Sequence, residues 1–451
     1  MYNYDYYSLE KMLEGYNMQR DAINQLIKWK NSKRRKPLIL QGARQVGKTW
    51  LMQEFGKREY KKTAYVTFDR NTSLQKAFED YTNIKELLTK IEIEVQMKIT
   101  PEDTLIIFDE IQECPDAITA LKYFNEKAPE YHIVVAGSLL GLAHHNGTGF
   151  PVGKVNFMTL YPLSFFEFLS ANGEDLLREA MEAGKTDVVK TFSIKLINYL
   201  KYYYYVGGMP EVVQSFIDNR DFNEVREVQK EIISSYNSDF SKHTDSNTAE
   251  RIRMVWDSIS SQLAKENKKF IYNVIKTGAR AKDFEIALAW LRDSGLIYKV
   301  NHIKKPNLPL KAYEDINIFK LYILDVGLLG ALSNLSAKTI LDEDKIFTEF
   351  KGALTEQYVL QQLKINHTPI YYWTSKSNVA EIDFVTQVEN YVIPIEVKAT
   401  TNLKAKSLQQ YRKDYNPEKS IRTSLADFEI NNGLYNIPLY LIGLFEKLIE
   451  S

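Results

Sequence analysis

Short, unbroken apolar runs punctuate the first third of the chain, each ending at a polar turn. Pro37-Leu38-Ile39-Leu40-Gln41, Ala64-Tyr65-Val66-Thr67-Phe68-Asp69, Thr104-Leu105-Ile106-Ile107-Phe108 and Tyr131-His132-Ile133-Val134-Val135-Ala136 lack period-two alternation. The first and third read as buried strands and the other two as further strands, as in a parallel sheet covered by helices. Between residues 174 and 239 the apolar spacing turns helical, with Pro210 as the one proline. Helical spacing continues through Ile252, Val255, Ile259 and Leu263, and a second helix reads through Asp283–Ser294 until Gly295 stops it. After about Ser333 the pattern changes again. A helix over 346–365 is followed by strands at 369–373, 380–386 and 391–398, a helix near 406–413 and a strand at 437–442, an αβββαβ order.

Length changes this picture first, because 451 residues exceed one ordinary core and call for several domains. A hydrophobic share of 44% with 26% charged residues excludes a disordered or fibrous chain. Formal net charge is zero, which argues against a uniformly basic polyanion binder but not against a local basic patch. The single cysteine, Cys114, excludes an internal disulfide framework and suits a reducing compartment. The tyrosine-rich start has no signal-peptide pattern, and the longest apolar run, Ile133–Ala143, falls far short of a bilayer span. A cytoplasmic protein with no membrane partner is expected.

The first apolar run leads into Gly42-Ala43-Arg44-Gln45-Val46-Gly47-Lys48-Thr49, which matches G-x-x-x-x-G-K-[ST] at every fixed position. A helix begins at Trp50, so the match sits in the strand–loop–helix context that gives it meaning. Gly42 and Gly47 allow the tight turns that point successive amide hydrogens at a phosphate, and the helix N-terminus adds to that field. Lys48 is expected to reach the β- and γ-phosphates of ATP, and Thr49 to coordinate Mg2+. The strand ending at Phe108 runs into Asp109-Glu110, about 60 residues downstream. Asp109 is expected to hold magnesium through water and Glu110 to polarise the attacking water. Ser138, after the next strand, is either a sensor of the γ-phosphate or the N-cap of a following helix.

With these residues in place the chain resembles prokaryotic AAA+-type P-loop ATPases that carry a C-terminal domain of unknown function. The resemblance rests on the loop 42–49, Asp109-Glu110-Ile111-Gln112 and Ala136-Gly137-Ser138. It extends through Tyr161-Pro162-Leu163-Ser164-Phe165-Phe166-Glu167-Phe168 and Gly207-Gly208-Met209-Pro210-Glu211-Val212 to Tyr371-Tyr372-Trp373, Glu381-Ile382-Asp383-Phe384 and Pro394-Ile395-Glu396-Val397-Lys398. It implies an ATPase whose helical stretch from Tyr161 to about Phe240 is a lid or connector. It does not single out an arginine finger; Arg251, Arg253 and Arg280 are candidates, each equally readable as a surface or nucleic-acid contact.

Residues 251–311 read as helix, turn, helix and strand with a wing over 301–310, a pattern similar to a winged helix-turn-helix. From Lys265 to Lys311 there are eleven Lys or Arg and four acids, a local charge of +7. That suits phosphate contacts with DNA, and equally a protein-interaction module with a solvated basic face. In the C-terminal part, Asp383 precedes Glu396-Val397-Lys398 by thirteen residues. Alternation puts Glu396 and Lys398 on one side of their strand, and Asp383 on a neighbouring strand can reach the same point. The arrangement resembles the PD-(D/E)xK nuclease core, in which two carboxylates bind magnesium and the lysine orients a water. Glu356, rather than Glu349, joins this set through the family match of Gly352-Ala353-Leu354-Thr355-Glu356. His144-His145 reads as a loop, and Tyr202–Tyr205 as a core or interface run.

The expected fold is α/β: a P-loop core over 1–165, a helical lid or connector over 166–245, a winged helix over 246–332 and a nuclease-like domain over 333–451. The expected activity is that of an ATP- and Mg2+-dependent switch acting on or bound to DNA, with a homo-oligomer among its partners. The alternatives are a non-catalytic ATP-gated DNA-binding regulator, or a signalling or scaffold ATPase whose C-terminal domain binds protein.

Overall fold

A computed structural model describes residues 18–137, 150–242, 244–265, 268–341, 348–366, 369–377 and 379–450. The chain divides into two compact units, Met1–Tyr161 with Asp293–Gly295, and Pro162–Arg292 with Leu296–Ser451.

The buried runs of the first unit form β1 (Leu38–Gln41), β2 (Lys62–Thr67), β3 (Thr104–Asp109) and β4 (His132–Ala136), joined by β5 (Asn156–Thr159). All pair in parallel, in the order β2-β3-β4-β1-β5. Every residue of β3 is buried, as an unalternated strand requires when both faces are covered. On one face Phe68, Phe78 and Phe108 meet edge-on at ring separations of 5.2–5.7 Å. The helices Phe78 adjoins are started by Asn71 and Asn83, whose side chains accept from the Leu74 and Glu86 amides. β5 was not expected from the sequence, because its Asn-Phe-Met-Thr composition carries no strong strand signal. The topology matters for chemistry: β4 lies between β1, which feeds the glycine-rich loop, and β3, which ends at Asp109.

The second unit opens with helices, among them Phe165–Ala171, Ser193–Val206, Pro210–Asn219, Phe222–Lys242 and Ser246–Leu263. The Ser164-Phe-Phe-Glu167 motif is a capping box: the Ser164 hydroxyl accepts from the Glu167 amide at 3.0 Å, and the Glu167 carboxylate from the Ser164 amide at 2.8 Å. Tyr203, Tyr204 and Tyr205 are buried, and Tyr203 stacks edge-on with Phe165, Phe168 and Tyr358. The tyrosine run is core.

An eight-stranded sheet follows, in the order β12-β13-β11-β10-β9-β8-β6-β7. Its strands are β6 (Ile297–Ile303), β7 (Glu314–Ile323), β8 (Ile370–Thr374), β9 (Glu381–Val388), β10 (Tyr391–Val397), β11 (Ser420–Ser424), β12 (Glu429–Asn431) and β13 (Leu434–Pro438). Two features differ from the sequence reading. The strand expected at 296–300 is β6, the expected wing over 301–310 covers its end and the connection to the antiparallel β7, and β6 also pairs in parallel with β8. Strands from both sides of the boundary expected at 332/333 thus share one sheet, a pairing across some 70 residues that local patterning does not encode. The second difference is the closing strand of the αβββαβ order. It is β11, parallel to β10, whereas the run expected as a strand at 437–442 finishes β13 and becomes a 3-10 turn, Leu439–Leu444. Hydroxyl side chains hid β11: Ser420, Thr423 and Ser424 are fully buried, although their polarity reads as loop.

Candidate functional site

The loop after β1 takes the backbone conformation its glycines were expected to permit. Gly42 has φ 141°, Gln45 φ 65° and Gly47 φ 91°. A Cβ on Gly42 would run into the Leu160 carbonyl, so any other residue there is excluded by sterics as well as by φ. Lys48 and Thr49 start the helix Lys48–Glu59, and the Lys48 ammonium donates to the Gly42 and Ala43 carbonyls, each at 2.8 Å. Burial pushes the Lys48 pKa down to about 8, Glu110 and Asp109 pull against it, and Arg44, on the exposed side of the loop, adds to the fall.

Asp109 and Glu110 stand opposite. The Thr49 hydroxyl donates to Asp109 Oδ2 at 2.6 Å, and the Tyr65 hydroxyl donates to the same oxygen at 3.0 Å. The second oxygen, Oδ1, accepts from the Glu110 amide at 3.0 Å. Burial raises the Asp109 carboxyl above its ordinary range, an effect the Thr49 hydrogen bond opposes and the Glu110 charge augments. Glu110 adopts a left-handed φ of 49°, which swings it off the strand line, and Gln112 Nε2 holds its carboxylate at 2.5 Å. Lys48, Thr49, Asp109 and Glu110 are therefore brought together around the loop. Ser138 and His144-His145 lie outside the described residues.

These groups fit a magnesium–nucleotide complex. The strained glycine positions shape a backbone cradle, a buried ammonium lies at its base, and a hydroxyl and a buried carboxylate share one point 2.6 Å apart. Tyr65 and Gln112, which hold the two acids, were not among the expected site residues: Gln112 stands in the Asp109-Glu110-Ile111-Gln112 motif, whereas Tyr65 carries no local signal.

Residues 34–169 match the family model described as AAA domain. This part of the chain is similar to AAA-type P-loop domains. Two further models, each described as a domain of unknown function, match residues 197–339 (DUF8612) and 351–442 (DUF4143). No curated protein matches the chain. Among solved structures, a Walker-type ATPase of Pyrococcus abyssi is 14% identical, with a TM-score of 0.44, covering 70% of this chain and 96% of its own. The Orc1 protein of Aeropyrum pernix, solved in complex with DNA, is 12% identical over 71% of this chain and 94% of its own, with a TM-score of 0.28. Cdc6p of Pyrobaculum aerophilum is 12% identical over 74% and 94%, with a TM-score of 0.25. Among the described residues, no helix is long and apolar enough to cross a membrane.

In the second unit the residues singled out near the C-terminus also come together. Glu356 lies on the helix Thr348–Ile365, Asp383 on β9, Glu396 on β10, and Lys398 just past it. The Val397 amide donates to Asp383 at 2.8 Å, and Lys398 to Glu396 Oε1 at 2.7 Å, while Glu396 Oε2 is buried without a hydrogen-bond partner. Burial, then the Glu356 and Glu396 charges, raise the Asp383 carboxyl well above its ordinary range. Burial also raises Glu396, against the pull of Lys398. At Glu356 burial acts in the same direction, but Lys268 and Lys320 outweigh it and the net shift is downward. Lys268 pairs with Glu356, whose other oxygen accepts from the Tyr322 hydroxyl at 3.2 Å, and the wholly buried Lys320 pairs with Glu381. Lys320 was legible as the lone charge in Phe319-Lys320-Leu321-Tyr322-Ile323; Lys268 was hidden within the basic segment.

Glu356, Glu381 and Glu396 are thus paired with the chain's own ammonium groups. Among the described residues, no three or more His, Cys, Asp or Glu side chains are grouped to hold a metal ion. As arranged, Glu356 and Glu396 are each paired with a lysine, while Asp383 accepts from the Val397 amide and Glu396 Oε2 has no hydrogen-bond partner.

Proposed function

We propose that the chain is an ATP-hydrolysing switch protein that engages nucleic acid through its second unit. The observation that supports hydrolysis best is the 2.6 Å hydrogen bond from Thr49 to Asp109, which brings the phosphate-loop hydroxyl and the acid of β3 to one point. Magnesium, when bound, neutralises the β- and γ-phosphate oxygens. Lys48 leaves its loop carbonyls to pair with the phosphate chain, and the loop amides follow its charge. Glu110, aimed by Gln112, orients the attacking water and accepts its proton. Hydrolysis relaxes the elements that end at Asp109, and this change is the switch.

For the C-terminal cluster, the αβββαβ order with β10 and β11 parallel supports a nuclease-like fold. The lysine pairing of Glu356, Glu381 and Glu396 favours a domain that binds over one that cuts. One assay addresses both readings: ATP turnover with and without duplex DNA, sampled for strand cleavage in the same tube. Wild type turns over ATP; Glu110→Gln binds it and turns over at least about a hundredfold more slowly. Turnover by Glu110→Gln at the wild-type rate defeats the catalytic assignment. Strand cleavage by wild type that disappears in both Lys398→Ala and Asp383→Ala replaces the binding reading with a nuclease.

A further inference from the structure

Arg20 is a buried charged side chain of the first unit, at 6% exposure. It stands just before the helix Ala22–Lys30, which packs against the phosphate-loop helix through Trp29 and Phe55, their rings 6.3 Å apart. Its guanidinium makes two backbone contacts far apart in sequence: one nitrogen donates to the Val46 carbonyl at 3.0 Å, the other to the Tyr161 carbonyl at 2.7 Å. Val46 is the residue before Gly47 in the phosphate loop. Tyr161 follows β5, beside the Leu160 carbonyl on which Gly42 closes.

We propose that Arg20 is a positioning residue for nucleotide binding, which orients the Val46–Gly47 peptide so that its amide serves the phosphate cradle. The reason is geometric. In a trans peptide the carbonyl oxygen and the following amide hydrogen lie on opposite sides of the C–N bond. A charged donor that holds the Val46 oxygen on the buried side therefore turns the Gly47 N–H the other way, away from the protein interior. Gly47 sits at φ 91° and Gln45 at 65°, left-handed positions on either side of Val46, so the Val46–Gly47 peptide depends for its direction on what its carbonyl and amide meet. The Val46 side chain, itself fully buried, anchors the residue but does not choose the direction of its carbonyl. Arg20 does both, through a rigid planar fork whose second arm rests on Tyr161. Preorganised amides are worth more to a phosphate than amides that must reorient on binding.

The inference rests on the first unit binding nucleotide, and the test separates the two. Affinity for a fluorescent ADP is measured for wild type, Arg20→Gln and Arg20→Lys, below the melting temperature of each nucleotide-free protein. Loss of one charge-assisted hydrogen bond in the cradle's support is expected to weaken ADP about tenfold in Arg20→Gln. KM for ATP is expected to rise in proportion while kcat stays within about threefold, because the reacting groups are untouched. Arg20→Lys keeps one charged donor and is expected to fall between. A lower melting temperature with unchanged ADP affinity and KM overturns the proposal and makes Arg20 a structural tie only. Failure of wild type itself to bind ADP overturns the underlying nucleotide reading instead.

Discussion

Burying an ammonium at the base of a phosphate cradle has a cost that titration can read. Lys48 ionises at about 8, chiefly because burial disfavours its charge. Phosphate recognition needs the charged form, so above about pH 8 nucleotide binding has to be accompanied by proton uptake. Affinity for ATP is therefore expected to fall by up to about tenfold per pH unit between roughly pH 8 and 10. Calorimetry at pH 9 in two buffers of different ionisation enthalpy should show that uptake; its absence would mean that Lys48 keeps an ordinary pKa. Stability moves in the opposite sense. The folded pKa lies below the unfolded value, so the unfolded chain binds more protons across this window and stability rises with pH. Lys48→Ala, expected to abolish nucleotide binding, removes that rise and serves as its control.

At the scale of elements, a buried carboxylate in the second unit organises three pieces of chain. Asp325 accepts from the Gly208 amide at 2.6 Å, from the Leu328 amide at 3.0 Å and from Gln361 at 3.1 Å. It thereby caps the helix Val326–Leu332 and fixes the Gly207-Gly208 turn that precedes the helix Pro210–Asn219. A Cβ on Gly207 would collide with this carboxylate, which explains the glycine. Asp325→Ala leaves the buried Gly208 and Leu328 amides without this acceptor and Gln361 with the Tyr203 hydroxyl at 2.9 Å, and a loss of about 2–4 kcal/mol is expected from the urea midpoint of the second unit. A loss below about 0.5 kcal/mol would show that water or relaxation replaces it. The sequence displayed the Gly-Gly-Met-Pro motif but not its partner, because Asp325 lies 117 residues away from Gly208. The same limit runs through the fold. Runs such as Thr104–Asp109 were legible because hydrophobicity alone specifies a strand buried on both faces. The strand Ser420–Ser424 was not, since neighbouring strands, rather than its own side chains, decide its burial. Phosphate-loop chemistry was legible because its residues are adjacent in sequence, whereas Arg20 acts through backbone carbonyls that have no sequence identity.

For the whole molecule, the decisive question is whether the basic segment meets a polyanion. Its net charge of +7 overstates what is available, because Lys268 is committed to Glu356 and Lys304 pairs with Asp315. Lys299 lies over the Phe319 ring at 4.3 Å, and burial lowers its pKa. Of the cations that remain exposed, Lys276, Arg280 and Lys282 gather at the start of Ala281–Asp293, with Ile286 68% exposed one turn on, while Lys265, Lys305 and Lys311 are exposed in other segments. A helix N-terminus flanked by cations favours phosphate, and contacts of this kind position a duplex without reading it. Binding to a short DNA duplex, followed by fluorescence anisotropy across a salt series, should then be sequence-independent and steeply salt-dependent. The double change Arg280→Ala and Lys282→Ala should weaken binding uniformly across sequences and lower the log–log salt slope by about 2, one for each phosphate no longer neutralised. An unchanged slope in the double variant would move DNA away from this helix. A flat salt response in wild type would remove DNA as the partner of the exposed basic face.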